Sequence, residues 1–197
     1  MKRTLAILFV GLSLAGYSQK LKVVQGDLSA LKGQTSIKTE FTYDNMTVTT
    51  KNVPEAEFIS TKKAEYEKKE AGRGEKFATA WVEDRPNRFE PQFRELFSKQ
   101  SDMTTADDNA KYTIIFHTTH TETGYNIGIS KRPAFIDGEA FVVETADKSK
   151  IVAKLTIENV PGSQFGGYDY DTGTRLAECY AKAGKDIGKL IGKAAKK

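Results

Sequence analysis

The sequence predicts an α+β fold: a mixed or antiparallel sheet of about five strands, covered by helices, with a long C-terminal helix. Three observations predict it. Apolar and polar residues alternate in residues 36–44 and again between 112 and 158, the two-residue period of strands. Between 77 and 97, and from 172 onward, apolar residues recur every three to four positions, the period of an amphipathic helix. The resulting order, β-β-α-α-β-β-β-α, segregates strands from helices instead of alternating them strictly.

The chain has 197 residues, 39% of them hydrophobic, enough for one domain with a real core. A single Cys excludes a disulfide scaffold within the chain.

The first eighteen residues read as an export signal. Lys2 and Arg3 are a basic start, Leu5 to Leu14 an apolar stretch, and Ala15, Gly16, Tyr17 and Ser18 a short, mostly small-residue end. The apolar stretch is far short of the roughly 20 residues that span a bilayer. Cleavage after Ser18 would leave Gln19 first; cleavage after Ala15 is the alternative. The expected organisation is a signal over 1–18 and one α+β domain over 19–197, in the periplasm or outside the cell. No later segment has transmembrane length.

Charge is uneven. Removing Lys2 and Arg3 takes the formal +4 to +2; residues 182–197 hold six Lys and one Asp, or +5, leaving −3 on residues 19–181. A mildly acidic body with a basic tail helix argues against a nucleic-acid binder, whose basic patch would cross the fold.

Taken in order, Ile37, Thr39, Phe41 and Tyr43 alternate with Lys38, Glu40, Thr42 and Asp44, a half-exposed strand. Asp44-Asn45 turns the chain, and Met46, Val48 and Thr50 form a partner strand. Asn52 caps a polar helix running to about Ala71, with Glu55 three residues on. Gly72-Arg73-Gly74 ends it. A second helical stretch carries Phe77 and Trp81 on one face, is punctuated by Pro86 and Pro91, and continues through Phe89, Phe93, Leu96 and Phe97, a core pattern. After a polar loop at 101–110, strands are expected from 112 to about 123 and from 134 to 145, the latter apolar on both faces. A turn at 146–149 leads into the alternation of Ile151, Ala153, Leu155 and Ile157. A Gly-rich loop over 161–173 precedes the last helix, Thr172 to Ala195.

The chemistry-bearing residues form no complete catalytic set. His117 and His120 are three apart on a strand and so face opposite sides if that strand is regular. Cys179 lies well inside a helix, away from the N-terminal positions that acidify thiols. Asp137 and Glu139 sit side by side rather than across a cleft. Asp169 to Gly173 resembles a calcium loop without its twelfth-position carboxylate, since that residue is Tyr180. Asp171 is more simply an N-cap. The candidate binding residues are therefore Gly166, Gly167, Tyr168, Tyr170 and Asp171, where a Gly-rich loop meets a helix N-terminus and can receive an anion. No metal or cofactor is expected.

In the last helix Leu176, Tyr180, Ala183, Ile187, Leu190 and Ala194 form an apolar ridge, with Gly184, Gly188 and Gly192 beside it. Each glycine costs a helix about 1 kcal/mol, so three at four-residue spacing imply close backbone packing, within the domain or against a partner. Lys182, Lys185, Lys189 and Lys193 line another side, where weak contact with an anionic membrane surface is the further option.

This C-terminal stretch, Arg175-Leu176-Ala177-Glu178-Cys179-Tyr180-Ala181-Lys182-Ala183-Gly184, resembles the last helix of small exported α/β envelope families of Gram-negative bacteria, with a TolB N-terminal-like pattern. Residues 110–160 fit the same pattern. The resemblance implies an envelope binding or assembly module and carries no catalytic residue. The expected function is a non-enzymatic exported domain that binds a protein partner or self-associates; the alternative is a small-molecule or anion binder, or an unrecognised hydrolase, working at 161–174.

Overall fold

The computed structural model describes residues 19–127, 129–162, 168–169 and 171–196. The segment read as an export signal lies outside these.

The fold is α+β. Its elements are β1 (Lys20–Gly26), β2 (Lys38–Thr42), β3 (Thr47–Val48), β4 (Val53–Pro54), α1 (Glu55–Glu67), α2 (Arg73–Asp84), a π-helical turn (Arg85–Phe89), α3 (Glu90–Ser101), β5 (Tyr112–Glu122), β6 (Tyr125–Ile127), β7 (Lys131–Arg132), β8 (Phe135–Glu144), β9 (Asp147–Pro161), β10 (Tyr168–Asp169) and α4 (Thr172–Ala195). Among the described residues the main sheet has seven strands rather than about five, ordered β1-β9-β8-β5-β3-β4, with β2 also on β5. Strands β10, β6 and β7 form a small second sheet, β10 within the expected 161–173 loop and the other two in the stretch left between the strands expected to 123 and from 134.

The sheet is mixed because of β5. It pairs antiparallel with β8 and parallel with both β2 and β3, which lie one after the other along its other edge. The expected β2–β3 hairpin is therefore wrong. Asn45 does take the left-handed conformation of a turn (φ 57°), but the turn steps the chain outward and back onto the same strand. That step buries Met46.

Helix α1 also starts differently. Asn52 is a left-handed turn residue between β3 and β4 (φ 54°), and Pro54 takes the N-cap position without a side-chain cap. Glu55 is drawn away from the expected cap: it accepts from the Trp81 indole at 2.5 Å and pairs with Arg85. The helix stops at Glu67, before Ala71. Pro86 is accommodated by the π turn, so α2 and α3 run on without a loop between them.

One apolar cluster joins the layers. Ile114, Phe116, Ala140, Val142, Ala153, Leu155 and Ile157 line one sheet face, and Phe93 and Phe97 of α3 with Leu176, Tyr180, Ala183 and Ile187 of α4 cover it. All are buried, each large side chain contributing about 1.5–3 kcal/mol. Phe93 lies 5.0 Å from Phe116, and Phe89 stacks on Tyr180 at 5.0 Å. The opposite face carries half-buried His117, Glu139, Phe141, Lys154 and Thr156, with the Lys154–Glu139 pair at 2.8 Å.

Candidate functional site at the head of α4

Of the expected binding residues, Gly166, Gly167 and Tyr170 lie outside the described residues. Tyr168 belongs to β10, paired with Ile127. Asp171 is the N-cap of α4, accepting from the Thr174 amide at 3.1 Å and its hydroxyl at 2.7 Å. The place an anion would take at this helix N-terminus is thus held by the chain's own carboxylate.

Arg88, from the π turn, clasps this cap. It donates to both oxygens of Asp171 at 2.9 and 3.2 Å, to Thr174 Oγ1 at 2.5 Å, and reaches Asp84 at 3.4 Å. Gly173 lets the clasp close in: a Cβ there would push aside the ends of the Asp84 and Arg88 side chains. The hydrogen bonds from Arg88, then those from Thr174, hold the Asp171 carboxyl well below the usual range despite partial burial. Burial shifts Asp84 the other way, upward, against the pull of Arg88. Arg88 is itself raised, chiefly by Asp171. Sequence reasoning missed this clasp. The Asp84–Arg88 spacing of four on a helix is its one local signal; the Asp171 partner is 83 residues away.

Beside the clasp lies a cavity of about 370 Å3 whose lining includes Phe77, Trp81, Phe89 and Leu176, with Arg73 and Lys76 among its polar residues. The Arg73 guanidinium stands 5.3 Å from the Tyr66 ring centre. The site offers an aromatic surface with fixed charges, suited to recognition. Both of its acids, Asp84 and Asp171, are engaged by Arg88.

The remaining candidates are occupied structurally. A β-bulge at Thr119 breaks the regular strand: His117 opposes Glu139 and His120 opposes Asp137. Since Asp137 and Glu139 share a face, so do the two histidines, contrary to the expectation for a regular strand. His117 Nδ1 bonds Thr42 Oγ1 and His120 Nδ1 bonds Thr47 Oγ1, each at 2.9 Å. Among the described residues no group of three or more His, Cys, Asp or Glu is placed to hold a metal ion. Asp137 accepts from the Asn159 amide at 2.6 Å. Cys179 is fully buried, its Sγ 3.4 Å from the Arg175 carbonyl, and burial pushes its thiol well above the usual range. Tyr180 is raised likewise by burial, and its hydroxyl meets Thr118 Oγ1 at 2.7 Å.

Gly184, Gly188 and Gly192 pack within the chain, against α3. A Cβ on Gly188 would stand 2.6 Å from the Phe97 carbonyl oxygen, and one on Gly192 2.7 Å from the Ser101 Cα; on Gly184 it would overlap the Phe93 carbonyl. The tightest contacts of the ridge are therefore with a neighbouring helix.

No protein-family model matches the chain, and no curated protein does. Among solved structures, the PelC dodecamer from Paraburkholderia phytofirmans in space group P6 is similar at 10% identity and a TM-score of 0.39, over 91% of this chain and 99% of that one. A point variant of that dodecamer in space group C2 is similar at 11% identity and a TM-score of 0.37, over 84% and 96%.

Proposed function

We propose that the chain is an exported, non-enzymatic domain that binds a protein partner or assembles in the bacterial envelope. The observation that carries this reading is how the reactive side chains are employed. The thiol of Cys179, both histidines, and the carboxylates of Asp84, Asp137, Glu139 and Asp171 are each tied to a structural partner. Among the described residues, every buried side-chain nitrogen and oxygen has a hydrogen-bond partner. These contacts brace the strands and the head of α4, which supports a structural use of the groups. The signal pattern of residues 1–18 supports export, and among the described residues no helix is long and apolar enough to cross a membrane.

Expression in a Gram-negative host tests both parts. The envelope fraction should contain protein whose intact mass begins at Gln19, open or cyclised, and in-cell crosslinking should join it to a second polypeptide or a second copy. An intact Met1 in that fraction would count against export, and a chain that crosslinks to nothing would count against the binding role.

The cavity at Trp81 supports the second reading, a small-ligand or anion site. Trp81 is the sole tryptophan, so its fluorescence reports occupancy directly. A saturable change with one compound from a ligand panel, joined to a rise in Tm, would favour this reading over the first.

A further inference from the structure

Strand β1 ends the main sheet. Among the described residues it pairs with β9 on one side only, and all its residues except Leu21 are exposed. Such an edge leaves a row of backbone N–H and C=O groups without sheet partners. Val23 and Val24, at 39% and 52% exposure, add apolar surface there. The regular stretch is Lys20–Val23, because a bulge interrupts pairing between Val23 and Gln25.

This edge lies beside the lysine flank of α4. One concavity is lined by Gln19, Leu21, Lys182, Lys185 and Asp186. A second, bounded by Asp27, Leu28, Ser29 and Lys32 on one side, meets Leu190, Lys193 and Ala194 of α4 on the other. Around the edge stand six cations, Lys20, Lys22, Lys32, Lys182, Lys185 and Lys193, against three carboxylates, Asp27, Asp186 and Glu158. Two of those carboxylates are engaged: Asp186 accepts from the Gln19 side chain at 2.7 Å, and Asp27 from the Ser29 amide at 2.7 Å. None of the six lysines has an ion-pair partner among the described residues. Lys182 to Lys193 spans about 16 Å along the helix axis, comparable to the about 13 Å of the four regular strand residues.

We propose that this edge receives an acidic, extended segment of a partner protein, added as a further strand of the sheet. The unpaired backbone groups select a polypeptide, and the surplus of lysines selects one bearing carboxylates. A second copy fits poorly, because edge-to-edge pairing would bring Lys20 and Lys22 of both copies together. The proposal names the partner class for the binding role put forward above and rests on it.

The test uses the full purified chain and a short peptide alternating Glu and Val, blocked at both ends. Saturable binding is expected, with slower amide hydrogen exchange across residues 20–26. A copy of the peptide N-methylated at alternate residues keeps the charge but cannot complete the ladder, and it should not bind. Reversing charge on the flank (Lys182→Glu, Lys185→Glu and Lys193→Glu together) should weaken binding about tenfold or more, with the melting temperature confirming that the variant folds. Equal binding of the N-methylated peptide, equal binding of a Lys-Val counterpart, or unchanged exchange at 20–26 would overturn the proposal. So would binding to phosphatidylcholine–phosphatidylglycerol vesicles without binding to the peptide, which would assign the strip to a membrane surface. A crosslinked envelope partner that survives the triple charge reversal would end the edge-strand proposal and leave the partner-binding role standing.

Discussion

Two flanks of the same helix meet opposite fates. On one, Gly184, Gly188 and Gly192 bring the backbone of α4 against the backbone of α3. On the other, Lys185, Lys189 and Lys193 repeat at the same four-residue spacing and are exposed. A residue without a side chain is a poor helix former, and its repetition is tolerated only where a neighbour fills the space. A residue with a long charged side chain forms helix well and leaves its surface open. Spacing in sequence is identical; the difference lies in what each residue lets approach. The glycine flank holds the fold together, while the lysine flank is available to something outside it.

The sharpest way to break this comparison is to give the glycine flank a side chain. Gly188→Leu places a large group where even a Cβ meets the Phe97 backbone at 2.6 Å. Overpacking costs about 1–3 kcal/mol and sometimes more, while improved helix propensity returns under about 1 kcal/mol. A net loss of about 2 kcal/mol is expected, read as a lower denaturation midpoint at unchanged m-value. Because the contact is with α3 of the same chain, the loss should be the same at low and high protein concentration. A higher midpoint for the variant would show that the helices do not touch there.

A smaller effect is expected at the head of the helix. Asp171→Ala removes the N-cap and the partner of Arg88, and should cost about 1 kcal/mol at neutral pH. Asp171→Asn keeps the cap but loses the charge, which separates the two roles. The fold lowers the Asp171 pKa, so its charge-dependent stabilisation is complete above the unfolded carboxyl value of about 3.9 and is lost as pH falls below it. The difference between wild type and Asp171→Asn should therefore shrink steadily in acid. A gap that persists unchanged below that pH would mean that Arg88 contributes nothing through charge.

These contrasts also show what could be read before the structure. Helix α4 was legible from Asp171 to Ala195 because cap, apolar ridge and length agree locally. The β8–β9 hairpin was legible for the same reason, with alternation on both sides of a short turn. Strand β1 was not: an edge strand in which Leu21 alone is partly buried has no run of buried residues to impose a period. Nor could alternation reveal that β2 and β3 both run parallel to β5, since that pairing joins residues more than seventy apart. The bulge at Thr119 reverses the predicted relation of His117 to His120 through a single extra residue. At the candidate site, Asp171 was legible as a cap, but its clasp by Arg88 depends on a tertiary contact that no local pattern records.

The smallest expected effect is on the lysine flank, and its smallness is the point. Lys189 stands four residues from both Lys185 and Lys193, and all three are exposed. Like charges at this spacing destabilise a helix by about 0.2–0.5 kcal/mol per pair, partly offset by their favourable position near the negative end of the helix dipole. Lys189→Ala removes two such repulsions and substitutes the best helix former, so stability should hold or rise by about 0.5 kcal/mol. Added salt screens the repulsion in the wild type and should narrow the gap between the two proteins. A loss greater than about 1 kcal/mol lies outside what an unengaged surface residue produces. It would mean that this flank, like the glycine flank, is already committed to contacts within the folded chain, and the contrast between the two sides of α4 would disappear.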